Sequence, residues 1–153
     1  MKKLAIVLMV VVASCTRTVM VSGPTGGLPK AAGTPTPREA LQRFLAAAKS
    51  QDLQELGLSW GTTEGPELKA KESTDERNTR EQREIILFCF LKHDSYRVLG
   101  EAPGQNSERV MAVELTFKGL TRSTNFMVTR GPQDRWYVRQ FDIEALRDIC
   151  ARK

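Results

Sequence analysis

Met111-Ala112-Val113-Glu114-Leu115-Thr116-Phe117-Lys118-Gly119-Leu120 decides how this chain folds. Met111, Val113, Leu115 and Phe117 alternate with Ala112, Glu114 and Thr116, the period of two of a strand with one buried face. Lys118-Gly119-Leu120 then turns the chain into a further strand, about Thr121 to Arg130. Upstream, Ser95-Tyr96-Arg97-Val98-Leu99 reads as a strand, and Ala102-Pro103-Gly104-Gln105-Asn106 as its turn. Downstream, Gly131-Pro132-Gln133-Asp134 turns into a fourth strand, Arg135 to Phe141. Short connections between neighbours make an antiparallel meander with one apolar face and one bearing Arg122, Arg139 and similar residues.

Before the strands the period is helical. Thr36 is an N-cap, Pro37 suits the first helical position and Glu39 closes a capping box. Ala40, Leu41, Phe44, Leu45 and Ala48 share one face of a helix to about Lys49. A second short helix starts at about Asp52, with Leu53, Leu56 and Trp60 inward and Gly61 at its end. Residues 62–72 read as a polar loop. Ser73-Thr74-Asp75-Glu76 is another capping box, opening a helix to about Lys92. Its first half, Asp75 to Glu84, is ionic and reads as solvated, including Glu81 and Glu84. Its second half, Ile85 to Leu91, is apolar all round and is expected inside the fold, as a helix or as a buried strand. Asp142 caps a terminal helix on which Ile143, Leu146 and Ile149 pack. The expected class is α+β: two or three N-terminal helices, a four-stranded antiparallel meander and a short C-terminal helix.

At the other end, Lys2 and Lys3 precede an apolar run from Leu4 to Val12, followed by Val12-Ala13-Ser14-Cys15. The run is about half of the roughly 20 residues a spanning helix needs. The layout matches an export signal and resembles the lipobox of bacterial lipoprotein precursors. That resemblance implies removal of residues 1–14 and a diacylglyceryl and an acyl group on Cys15. Several chains would hold the protein at a membrane, where one alone is marginal. Thr16, rather than Asp, follows the cysteine, which favours the outer membrane, facing the periplasm, in a diderm source. Plain secretion and an uncleaved anchor are the alternatives. Residues 15–36, rich in Gly, Pro, Ser and Thr, read as a disordered tether with a reach of about 25 Å. The folded unit is then a single domain over residues 37–152, with room for one core.

The formal charge of +5 in 153 residues includes Lys2 and Lys3, and the remainder is too modest and too spread to suggest nucleic acid as a partner. With Cys15 assigned to lipid, Cys89 and Cys150 are left. An oxidising compartment favours a disulfide between them, with two buried thiols as the alternative. One His and two such cysteines form no ligand-spaced cluster, so neither metal nor other cofactor is expected.

Helices followed by a meander ending in Arg135-Trp136-Tyr137-Val138 resemble the nuclear transport factor 2-like superfamily of α+β cones. The segment Phe44-Leu45-Ala46-Ala47-Ala48-Lys49-Ser50-Gln51-Asp52-Leu53 resembles the joint of its opening helices. The resemblance implies a curved sheet wrapped around helices, with a pocket at the open end in some members. Trp60, His93, Tyr96 and Trp136 are the candidate lining. His93-Asp94 is a possible acid–base pair or simply a helix-end His. No nucleophile elbow, phosphate loop or dinucleotide fingerprint is present. The expectation is a membrane-anchored binding module for a small molecule or an envelope protein. A small enzyme using the pocket and a structural envelope component are the alternatives.

Overall fold

The computed structural model describes residues 31–153. The signal segment 1–14, Cys15 and the tether up to residue 30 lie outside the described residues. The described chain is an α+β domain in the order α1 (Pro37–Ser50), α2 (Leu53–Ser59), β1 (Gly61–Thr62), β2 (Gly65–Pro66), α3 (Thr74–Phe90), β3 (Ser95–Pro103), β4 (Glu108–Phe117), β5 (Leu120–Arg130), β6 (Trp136–Phe141) and α4 (Arg147–Ala151). Strands β3-β4-β5-β6 form the antiparallel meander in sequence order.

The alternating stretch behaves as its period requires. Met111, Val113 and Leu115 are fully buried, and the β4–β5 connection is the two-residue turn Lys118-Gly119. Both turn residues have positive φ, 48° and 75°, the geometry whose twist matches a hairpin. Register places Arg122 opposite Leu115, so Arg122 lies on the inner rather than the outer face. It is tolerated there because it reaches the sheet's end and pairs with Asp148 of α4 at 2.5 Å.

Helix α1 lies across the inner face. Thr36 Oγ1 accepts from the Glu39 N–H at 3.3 Å and caps the helix, but Glu39 makes no return bond, so the expected capping box is only half formed. Leu41, Phe44 and Leu45 join Met111, Val113, Leu115, Phe126, Val128 and Val138 in one core, with Phe44 edge-on to Phe126 at 6.3 Å. The inner face of the sheet is therefore covered by side chains.

The ordered domain starts before Pro37, not at it. Thr34 exchanges backbone hydrogen bonds with Trp136 at 3.1 and 2.8 Å, and Gly33 N–H donates to Leu58. Arg43 donates to the carbonyls of Ala31 and Gly33, and Arg135 to those of Ala32 and Gly33. Residues 31–36 thus strap the free edge of β6, where Trp60 also bridges Val138. Gly33 has φ of 63°, and a Cβ there would sit 2.7 Å from the Tyr137 ring. Composition alone hid this strap, because backbone bonds rather than apolar side chains hold it.

Helix α3 departs from the expectation at four positions, while the rest of its ionic half is largely exposed and Leu87 to Leu91 are buried or half-buried. Ile85 and Ile86 are 57% and 60% exposed, whereas Arg80 and Glu84 are buried. The inward stripe is Arg80, Glu84, Leu87 and Leu91, spaced i, i+4, i+7 and i+11, and Ile85 and Ile86 fall off it. The reciprocal capping box at Ser73 and Glu76 is present. Behind α3, Cys89 and Cys150 meet at disulfide distance with Cα atoms 4.7 Å apart, tying α3 to α4. Leu146 and Ile149 pack as expected, but Ile143 is 39% exposed, because it precedes the short 3-10 turn that carries Leu146 inward.

Candidate functional site

Among the four residues proposed from sequence to line a pocket, the structure brings two together. His93 and Tyr96, where the chain enters β3, stack edge-to-face with centroids 5.8 Å apart. They share a cleft of about 360 Å³ with Gln42, Ala46 and Lys49 of α1. Trp60 and Trp136 lie at the opposite edge of the sheet, around β6. The Trp60 indole N–H donates to the Arg139 carbonyl at 3.0 Å, and its ring lies under the Arg83 guanidinium. The strap at Thr34 pairs with the Trp136 backbone. The four therefore do not converge on one pocket.

His93 and Asp94 do not act as a dyad. His93 Nδ1 donates to the Leu91 carbonyl at 2.8 Å, while Asp94 Oδ2 accepts from the Lys118 N–H at 2.6 Å and so pins the β4–β5 turn. Burial pushes the His93 pKa down, the Leu91 bond opposes this only in part, Lys49 lowers it further and the neighbouring Asp94 charge raises it slightly. The imidazole is held neutral with Nε2 as its remaining acceptor. Neither bond leads to a nucleophile, and both fix where α3 hands over to β3.

A larger groove, about 460 Å³, runs between α2, the strap and segment 66–70. Ala32, Leu58, Pro66, Leu68 and Ala70 give it apolar walls, and Asp52, Gln54, Glu55 and Lys69 give it a polar rim. Its size falls in the range of small-molecule pockets, roughly 300–1,000 Å³. Two of its polar groups are already held: Asp52 Oδ1 caps α2 at the Glu55 N–H, 3.0 Å, and Glu55 pairs with Arg43 at 2.5 Å. No single segment announces this groove, since its walls come from three parts of the chain.

The wall formed by segment 66–72 is fastened from behind by charges. Arg80 donates to Glu72 through Nε at 2.9 Å and Nη2 at 3.2 Å, and through Nη1 to Glu84 at 2.7 Å. All three side chains are at most 6% exposed. Glu84 Oε2 takes the Arg80 bond, whereas Oε1 is buried with no hydrogen-bond partner. It faces Gly57 of α2, where a Cβ would come within 2.9 Å of Oε1 and of Leu68 Cβ. Glycine at 57 is what lets α2 approach α3 this closely. Burial pushes the Glu84 carboxyl up to about 7, against the opposing Arg80 bond and charge. The Arg80 bond is the main reason Glu72 is held below the usual carboxylate range.

Among the described residues no group of three or more His, Cys, Asp or Glu side chains could hold a metal ion. No helix of the described residues is long and apolar enough to cross a membrane. Comparison with protein-family models, curated proteins and solved structures gave no match.

Proposed function

We infer that this protein is a lipid-anchored module of a bacterial envelope, held by Cys15 and binding a small molecule or envelope partner without catalysing a reaction. The observation that carries the binding role is the α2 groove, apolar-walled and polar-rimmed, set on a rigid domain whose interior is filled. A sheet that closes on α1 supports the resemblance to the nuclear transport factor 2-like cones. The cysteine pair at disulfide distance supports a compartment outside the reducing cytoplasm. The enzyme alternative has little to stand on, because His93 and Asp94 are each committed to backbone groups. A purely structural envelope role is the second reading, favoured by the filled interior.

The anchor is tested by cell fractionation. Wild-type protein is expected to pellet with membranes after a high-salt wash and to enter detergent. Cys15→Ser is expected to lose the lipid-dependent detergent partitioning, with the great majority leaving that phase. Equal detergent partitioning of Cys15→Ser would remove the lipid anchor from the account.

A further inference from the structure

Three candidates for a second function stand out: the exposed Ile85–Ile86 pair, the long free edge of β3, and the buried charges behind the α2 groove. The first two show nothing of what would cover them. The third does not depend on an unseen partner. We propose that Arg80, Glu72 and Glu84 form a proton-operated latch that holds segment 67–72, and with it one wall of the α2 groove, closed in acid solution and loosens it as the solution approaches neutrality. The inference rests on the groove reading only for its consequence; the latch itself is testable without any ligand.

The geometry sets the direction. Among the described residues Arg80 is the one cation bonded to Glu84, and it also holds Glu72 and lies 3.7 Å from Glu81, so one guanidinium faces three carboxylates. The other charge bearing on Glu84 from its own helix is Glu81, which repels. A Cβ at Gly57 of α2 would lie 2.9 Å from the unbonded Glu84 oxygen and 2.9 Å from Leu68 Cβ, so this oxygen sits beside the seam of α2 and segment 67–72 with no donor on it. Glu67, Lys69, Asp75, Glu76 and Arg83 line the cleft on the solvent side of Arg80. An ionised Glu84 therefore places a buried carboxylate oxygen where nothing solvates it, a costly state. A protonated Glu84 removes that charge, while its Oε2 still accepts from Arg80 and Arg80 keeps its two bonds with Glu72.

Deprotonation releases the proton to bulk water, and the cost of the bare carboxylate is relieved if water enters between Leu68 and Gly57. That entry requires segment 67–72 to move away. Because the carboxyl sits near 7 when closed against an ordinary 4.5, the closed state gains stability at low pH and loses it as pH rises through 7. Glu72, held low, has the opposite sign: its contribution is present above the ordinary carboxylate range and is lost as pH falls below it. The closed wall is thus tightest on the acid side of neutrality.

The test is amide hydrogen exchange of the full chain, followed for residues 67–72 between pH 5.5 and 7.5 and corrected for the intrinsic rate. The opening equilibrium is expected to rise on the order of tenfold over that range in wild type. In Glu84→Gln, a neutral isostere of the protonated form, it is expected to stay flat, and Arg97→Gln, a surface change on the β3 edge where Arg97 pairs with Glu114, is expected to leave the wild-type rise intact. A carbon-13 titration of the wild-type Glu84 carboxyl gives a second readout, with a midpoint expected near neutrality. Exchange that does not change with pH, a rise that persists in Glu84→Gln, or a Glu84 midpoint below 5 would each overturn the latch. Loss of ligand binding with the latch intact would instead count against the groove.

Discussion

Arg80→Ala lowers the unfolding free energy by about 3–5 kcal/mol at pH 8.5, the range for removing one partner of a buried pair. The substitution strands Glu72 and Glu84, both of which lose their guanidinium bonds. At pH 5.5 the loss is smaller, because Glu84 escapes the cost of an unpaired charge by taking a proton. Urea denaturation of wild type and variant at the two pH values measures both. A midpoint shift corresponding to less than about 1 kcal/mol at either pH would class the triad with exposed ion pairs.

Loss of the Cys89–Cys150 link is the second large effect. Cys89→Ala with Cys150→Ala, or reduction of the wild type, costs about 2–5 kcal/mol, since the link closes a loop with a sequence separation of 61. For a domain of this size that is a fall of roughly 10 °C in Tm. The unfolding is expected to begin at α4, five residues that bury Ile149 and depend on the link to stay against α3. Identical melting of the oxidised and reduced protein would contradict the link.

The two effects differ in how readable they were from sequence. Cys89 and Cys150 were the pair left once Cys15 was assigned to lipid, and their meeting follows from α3 and α4 lying side by side. The meander was legible because Met111, Val113 and Leu115 alternate over a strand whose one face is buried. Thr36, Asp52 and Ser73 marked their helix starts for a local reason: each side chain bonds a backbone N–H three residues on.

Helix α3 departs from its sequence pattern at Arg80, Glu84, Ile85 and Ile86 for one physical reason. A run such as Ile85-Ile86-Leu87-Phe88 has no polar residue to mark its outer face, so periodicity cannot orient it. Arg80 and Glu84 offered the missing signal, an i,i+4 opposite-charge pair in phase with Leu87 and Leu91. Reading them as solvated was the default that burial overturned. The pocket residues failed differently. Trp60, His93, Tyr96 and Trp136 all have polar handles, but two edges of a sheet separate them, and sequence carries no distance between edges. The α2 groove needs the strap, α2 and segment 66–70 at once, so it becomes visible only in three dimensions.

The claim on which the functional account turns is that Cys15 carries the lipid that places this domain at a membrane. Intact-mass measurement of the protein extracted from membranes tests it most directly. The account predicts a chain beginning at Cys15, heavier than its residues by a diacylglyceryl group and one further acyl chain, with the ester-linked part removed by mild base. A chain that begins at Met1, or that begins near Cys15 with no added mass, would contradict it.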